Sequence, residues 1–330
     1  MLELGSGLEE GVMARAVMSA RWIFLAALAA FALWLPGCTN YMPEALQASP
    51  APPGPNTDRV VDKSGAAPQE RPKMNARFDS ILDDILARQE LRVGVSPGFV
   101  PFVASGKDAA TVREKATGPL SDDPRDIVGL DIEIAKAIAD SLEVKLVVVE
   151  KSGIAAVLNG LQDGTIDMAM SGLTRTLPRA RNFFFSEPYF TSGVVVMVPK
   201  AAPYQRLADA NVQRVRVLVK PNTTAQTFAS RFLGNASTIA AKDERTLATL
   251  FDQGDKIAIV DQIKARNFQL AKTMQIEFRI LENRRFTDEH FSIALPRDEA
   301  WRSYINIFIQ DFKESGHLDE LTQKFALWLK

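Results

Sequence analysis

From Leu91 onward the apolar residues of this chain switch repeatedly between two periods, and that alternation limits the folds open to it. Leu91-Arg-Val-Gly-Val95 alternates as a strand does, and Ile134, Ile138 and Leu142 then recur every fourth residue, on one helix face. Leu146–Val149 is a continuous apolar run, the pattern of a strand buried on both faces. Ile154, Val157, Leu158 and Leu161 form a helix stripe, and Ile166–Met170 and Gly193–Val198 read as strands. The cycle restarts at Val215–Val219 with a Thr-rich helix start, a helix carrying Leu247, Leu250 and Phe251, and strands at Ile257–Val260, Ile276–Ile280 and Phe291–Leu295. Two helices close the pattern. Trp301, Ile305, Phe308, Ile309 and Phe312 stripe the first, Gly316 stops it, and Leu318, Leu321, Phe325 and Leu329 stripe the second. Two successive strand–helix–strand series predict an α/β chain of two lobes, with ligands at the carboxyl ends of strands in the cleft between them.

The segment before this pattern reads as an address. Arg15 and Arg21 precede an apolar run from Trp22 to Leu35, which at 14 residues is shorter than the roughly 20 a spanning helix needs. A basic start, a short apolar stretch and the exit Leu35-Pro36-Gly37-Cys38 predict a secretory signal over 1–37. That exit resembles a bacterial lipobox, with Pro36 in place of the usual small residue, and the resemblance implies lipidation of Cys38. Residues 38–76 carry seven prolines among Ala, Ser and Gly, too little apolar surface to offset the entropy of ordering, and are expected to act as a tether.

Composition narrows the chemistry. A formal net charge of -1 gives no electrostatic footprint for nucleic acid. One cysteine and two histidines, His290 and His317, leave no disulfide framework and argue against a zinc centre, so no metal or cofactor is expected.

Gly129-Leu130-Asp131-Ile132-Glu133-Ile134, continued by Ala135-Lys136-Ala137-Ile138-Ala139, resembles the signature of the family 3 bacterial solute-binding proteins, the amino-acid receptors of ABC importers. The similarity runs from Leu91 to Trp328. Leu91–Phe102 resembles the family's first strand and Pro-aromatic loop, Met170–Arg181 its carboxylate-binding segment, and Pro221–Gln226 and Gly254–Asp261 its second-lobe ligand segments. The resemblance implies two lobes joined by two crossing strands, with lobe 1 taking 77–196 and 290–330 and lobe 2 taking 197–289. It also implies a periplasmic or cell-envelope location, a small amino-acid-like ligand and a transient ABC permease partner.

Recognition of a zwitterion needs a donor set for the carboxylate and an acid for the ammonium. A planar, permanently charged guanidinium suits the first task, and Arg179 matches the family arginine that performs it. Gly172 matches a main-chain N–H donor, Thr174 a donor through N–H and hydroxyl, and Thr224 with Thr223 the second lobe's contacts at a helix N-terminus. For Thr223 and Thr224 an ordinary helix cap explains the sequence equally well. Asp261, directly after the strand Ile257–Val260, matches the aspartate that binds the ammonium, with a plain N-cap as the competing explanation. Phe99 matches the aromatic that covers the ligand side chain, and Ser96 stands where many relatives place an acid. Arg175 and Arg181 read as solvated, and Asp167 as structural. Residues 103–128 form a longer, more polar insertion than the family usually has.

The second half, notably Leu295–Ala300 and Gly254–Arg266, also resembles cyclohexadienyl dehydratase, an enzyme of the same superfamily that eliminates water from prephenate or arogenate. That reaction needs a general acid, which the family supplies as a glutamate three residues after the cleft aspartate. Here the position is Lys264, and Lys220 replaces the enzyme's asparagine before the loop proline. These departures favour a binding protein over the enzyme, and Lys264 beside Asp261 would favour acidic ligands. A ligand-sensing lipoprotein without transport fits the same residues.

Overall fold

The computed structural model describes residues 80–121 and 125–329, all within one compact unit spanning Pro68–Lys330. The signal over 1–37, Cys38 and the whole tether expected over 38–76 lie outside the described residues, as do Asp122, Asp123 and Pro124. Among the described residues no helix is long and apolar enough to cross a membrane.

The two periods resolve into two five-stranded sheets. The first contains β1 (Glu90–Val95), β2 (Lys145–Glu150), β3 (Met168–Ala169), β4 (Phe184–Phe185) and β12 (Ala294–Leu295), in the order β2-β1-β3-β12-β4. The second contains β6 (Val194–Pro199), β7 (Arg216–Val219), β8 (Ser237–Ala240), β9 (Lys256–Asp261) and β10 (Phe278–Ile280), in the order β10-β6-β9-β7-β8. Between them β5 (Phe190–Ser192) pairs antiparallel with β11 (Glu289–Phe291), Ser192 facing Glu289. In each sheet the parallel strands are linked through helices, and the loops that carry the site leave their carboxyl ends.

The first core gathers Val93, Ile134, Ile138 and Val148 with Trp301, Ile305 and Ile309 from the helix Glu299–Glu314. That helix is tied down at its start. Asp298 caps it by accepting from the Trp301 amide at 2.7 Å and also takes the Ile81 amide at 2.9 Å. The fully buried Trp301 indole donates to the Asp167 carbonyl at 3.0 Å. Asp167 is an anchor of the first sheet, its carboxylate held by the Arg88 and Arg92 guanidiniums, each at 2.6 Å. The second sheet is covered on its two faces by separate clusters, one with Phe228 and Ala229, the other with Leu247, Phe251 and Phe268.

Three readings change in detail. The run Leu146–Val149 is an edge strand in which only Val148 is fully buried; the flanking helices cover its neighbours partly. The segment Phe291–Leu295 is divided, because the chain leaves the crossing ribbon at Phe291 and enters the first sheet at Ala294. The insertion 103–128 folds away from the cleft. Its helix Gly106–Lys115 buries Ala109 and Val112 in the first core, and the Thr117 amide donates to the Lys324 carbonyl at 3.0 Å.

Candidate functional site

The loops at the carboxyl ends of both sheets enclose a cleft of about 850 Å³, within the range of small-molecule sites. Ser96, Phe99, Gly172, Thr174, Arg179, Thr223, Thr224 and Asp261, eight residues far apart in sequence, all line it.

On the first lobe, strand β3 ends in a tight turn. Gly172 has φ 55°, and a Cβ there would stand 2.6 Å from the Phe99 ring, so only glycine lets the backbone pass. Its amide donates to Asp131 Oδ2 at 2.7 Å. This corrects the expectation of a free main-chain donor at Gly172. Asp131, fully buried, also accepts from the Tyr189 hydroxyl at 2.8 Å, and burial pushes its carboxyl up to about 6 against those two bonds. Asp131 therefore positions the turn. Sequence reasoning met it inside the Gly129-Leu130-Asp131 motif without giving it a role.

Beyond the turn, the segment 173–175 runs antiparallel beside the end of β11, with the Ser292 amide donating to the Leu173 carbonyl at 3.0 Å. This brings Thr174 against Glu289. Arg179, in the short helix Leu177–Ala180 capped by Thr176, folds back to donate to the Thr174 carbonyl at 2.7 Å. Burial lowers its pKa, and the nearby Glu289 charge opposes that shift. Ser96 is engaged within its own lobe: its hydroxyl accepts from the Gly153 amide at 3.0 Å.

On the second lobe, Thr223 is the N-cap of the helix Thr224–Phe232, accepting from the Gln226 amide and donating to the Lys220 carbonyl at 2.7 Å. Its hydroxyl is committed to the cap. The Thr224 hydroxyl, by contrast, donates to Glu289 at 2.9 Å.

Asp261 is the N-cap the sequence allowed, and its second oxygen stays outside the cap. One oxygen caps the helix Gln262–Leu270 by accepting from the Ile263 amide at 2.7 Å. The other, Oδ2, is buried beside the Ser192 hydroxyl, which is close enough to act on the carboxyl but lies outside regular hydrogen-bond geometry. Burial raises the Asp261 carboxyl to about 7; the Ser192 hydroxyl and Ile263 amide pull it down, while the Glu289 charge adds to the rise. A buried acceptor without a donor is costly, and an incoming ammonium would supply the donor.

Lys264 departs from expectation. Its side chain, 18% exposed, forms an ion pair with Glu244 and not with Asp261. It also crosses the cleft, donating to the Gly98 carbonyl at 3.2 Å with its ammonium 4.5 Å from the Phe99 ring centroid. Lys220 reaches the same Glu244 oxygen at 3.0 Å. Burial would raise the Glu244 carboxyl, but the two ammoniums overcome it and hold the group at about 2. One Glu244 carboxylate is thus shared by the Lys264 and Lys220 ammoniums, and the cluster keeps one net positive charge at the cleft.

Glu289 and Glu244, both in the cleft lining, were not read from the sequence at all. Neither sits in a local motif, and only the pairing of β11 with β5 and the packing of two second-lobe helices bring them to the site. Among the described residues no three metal-ligating side chains stand together.

Comparison with known proteins agrees with this architecture. Over 256 residues the chain is 28% identical to cyclohexadienyl dehydratase of Pseudomonas aeruginosa, covering 76% of this chain and 87% of that one. It is also 28% identical to a probable histidine-binding protein of Neisseria gonorrhoeae, over 70% of this chain and 84% of the relative. Among solved structures, the ancestral amino-acid-binding protein AncCDT-1, a precursor of cyclohexadienyl dehydratase, superposes with a TM-score of 0.62 at 27% identity, covering 76% of this chain and all of that one. AbpA of Streptococcus pneumoniae, bound to L-arginine, gives 0.61 at 27% identity over 75% of this chain and 99% of the other. Residues 91–327 match one family throughout, and with its two lobes and crossing strands the chain belongs to the bacterial extracellular solute-binding proteins, family 3.

Proposed function

We propose that this chain is an extracytoplasmic receptor for an ABC importer, anchored through lipid on Cys38, which captures an amino acid or a related small carboxylate between lobe 1 (77–196 and 290–330) and lobe 2 (197–289). The observation that carries the reading is the cleft's polarity. The Thr174 and Thr224 hydroxyls converge on one point, the Arg179 charge is coupled to it, and Asp261 presents a buried acceptor without a well-aligned donor. A ligand carrying both a carboxylate and an ammonium complements that arrangement. Relatives named for histidine, glutamine and arginine binding support the ligand class.

The second reading, a dehydratase, is favoured by similarity to the Pseudomonas enzyme. Lys264 speaks against it, because its ammonium is bound to Glu244 and the Gly98 carbonyl and is a poor replacement for a proton-donating carboxylic acid. A thermal-shift screen of the twenty amino acids and prephenate, with prephenate loss followed as phenylpyruvate formation, separates the two. A ligand at a hundred times its Kd adds about 2.7 kcal/mol of stability. Multiple turnover of prephenate would replace the binding reading with the enzyme.

A further inference from the structure

Glu289 is 5% exposed and lies on the crossing strand β11, at the floor of the cleft. Its Oε2 accepts from the Thr174 hydroxyl of the first lobe at 2.9 Å and from the Thr224 hydroxyl of the second lobe at 2.9 Å. Arg179 stands near enough for the two charges to be coupled. A carboxylate oxygen with two hydroxyl donors and a guanidinium beside it is the environment an amino acid's own carboxylate would seek. The donor set is therefore already occupied, by a residue of the chain.

We propose that Glu289 is a built-in competitor for the ligand's carboxylate, and that its two hydroxyl contacts latch the lobes together in the empty protein. This rests on the reading of the cleft as an amino-acid site. Binding is then an exchange of one carboxylate for another: the ligand takes the Thr174 and Thr224 hydroxyls, and the Glu289 side chain gives them up. A neutral ligand with no carboxylate has nothing to offer in that exchange and leaves the latch in place. Glu289 thus sets affinity and selects for an anionic end, although it ends outside the ligand's donor set. The apparent Kd is the intrinsic one divided by the fraction of molecules whose donors are free, so removing the competitor tightens binding.

The alternative role for an acid here is to hold the ligand's ammonium together with Asp261, and the two roles predict opposite signs. Calorimetric titration with whichever amino acid stabilises the wild type compares that protein with Glu289→Ala and Glu289→Gln. Glutamine keeps the side-chain volume and one acceptor oxygen while losing the charge. The expected result is binding about tenfold tighter in Glu289→Ala, equivalent to about 1.4 kcal/mol, with Glu289→Gln between it and the wild type. Small-angle scattering of the ligand-free proteins should give a larger radius of gyration for Glu289→Ala, its lobes no longer tied. Unchanged binding in both variants overturns the competitor, and weaker binding in both overturns it and assigns Glu289 to the ammonium. If none of the three proteins binds any amino acid, the amino-acid reading falls, and the latch stands or falls on whether Glu289→Ala alters the scattering.

Discussion

Lowering the pH should weaken ligand binding through a single buried carboxyl. Burial raises Asp261 to about 7, so below neutrality the group is mostly protonated in the empty cleft. An ammonium ligand needs the charged form, and binding must then expel the proton. The apparent Kd scales as one plus the ratio of protonated to charged Asp261, which predicts about a hundredfold loss of affinity between pH 8 and pH 5. At pH 6.5 binding should release about three-quarters of a proton from this group. Titration calorimetry in two buffers of different ionisation heat measures that number directly. Asp261→Asn should bind more weakly at pH 8 and show a nearly flat profile, with Asp131, raised to about 6, as the residual titrating group. A change below about threefold from pH 8 to pH 5, or a variant that keeps the wild-type slope, would refute the reasoning. The empty protein has the opposite dependence. A carboxyl whose folded pKa is raised contributes stability that is full below its unfolded pKa and lost as pH rises through 7. Glu244, held at about 2, contributes stability above its unfolded pKa and loses it only on strong acidification, outside this window.

Arg179→Ala should cost about 2–5 kcal/mol of binding, a loss of about thirtyfold to several thousandfold, while circular dichroism stays that of the wild type; a loss under threefold would remove Arg179 from the site. Cys38→Ser should abolish metabolic labelling with radioactive fatty acid, and labelling that persists in the variant would place the anchor elsewhere.

The sequence and structure agree best where the signal is a period. The alternation of strand and helix named the architecture, and Ile134 and Ile138 are buried in the helix Leu130–Ser141, with Leu142 buried at its C-cap, as their spacing requires. Residues with a local motif, such as Arg179 after the β3 turn or Asp261 at a strand end, arrive in the cleft together. Hydrogen-bond partners were not legible in the same way. Nothing near Gly172 in sequence says that its amide is taken by Asp131, 41 positions earlier. Glu289 and Glu244 carry no local pattern, since what makes them part of the site is the register of a ribbon and the approach of distant helices. The edge position of Leu146–Val149 was hidden for a related reason: an apolar run records how much surface is covered, and not which strand covers it.

The strand order of the first sheet has a consequence for a chain delivered in order from its N-terminal end. The short strand β12 sits between β3 and β4, so Ala294 pairs with Ala169 across 125 positions, and the helix that follows supplies Trp301 to the same core. The second sheet draws all its strands from the uninterrupted stretch 194–280. As the chain emerges, that later half holds every strand it needs before the earlier half does. The first lobe waits, its sheet split where β12 belongs, until residue 295 and the helix beyond it have emerged. Such long-range closure is slow compared with local pairing and leaves apolar edges open meanwhile. A growing chain is thereby kept from completing the lobe that bears Arg179 until nearly all of the described residues have been made.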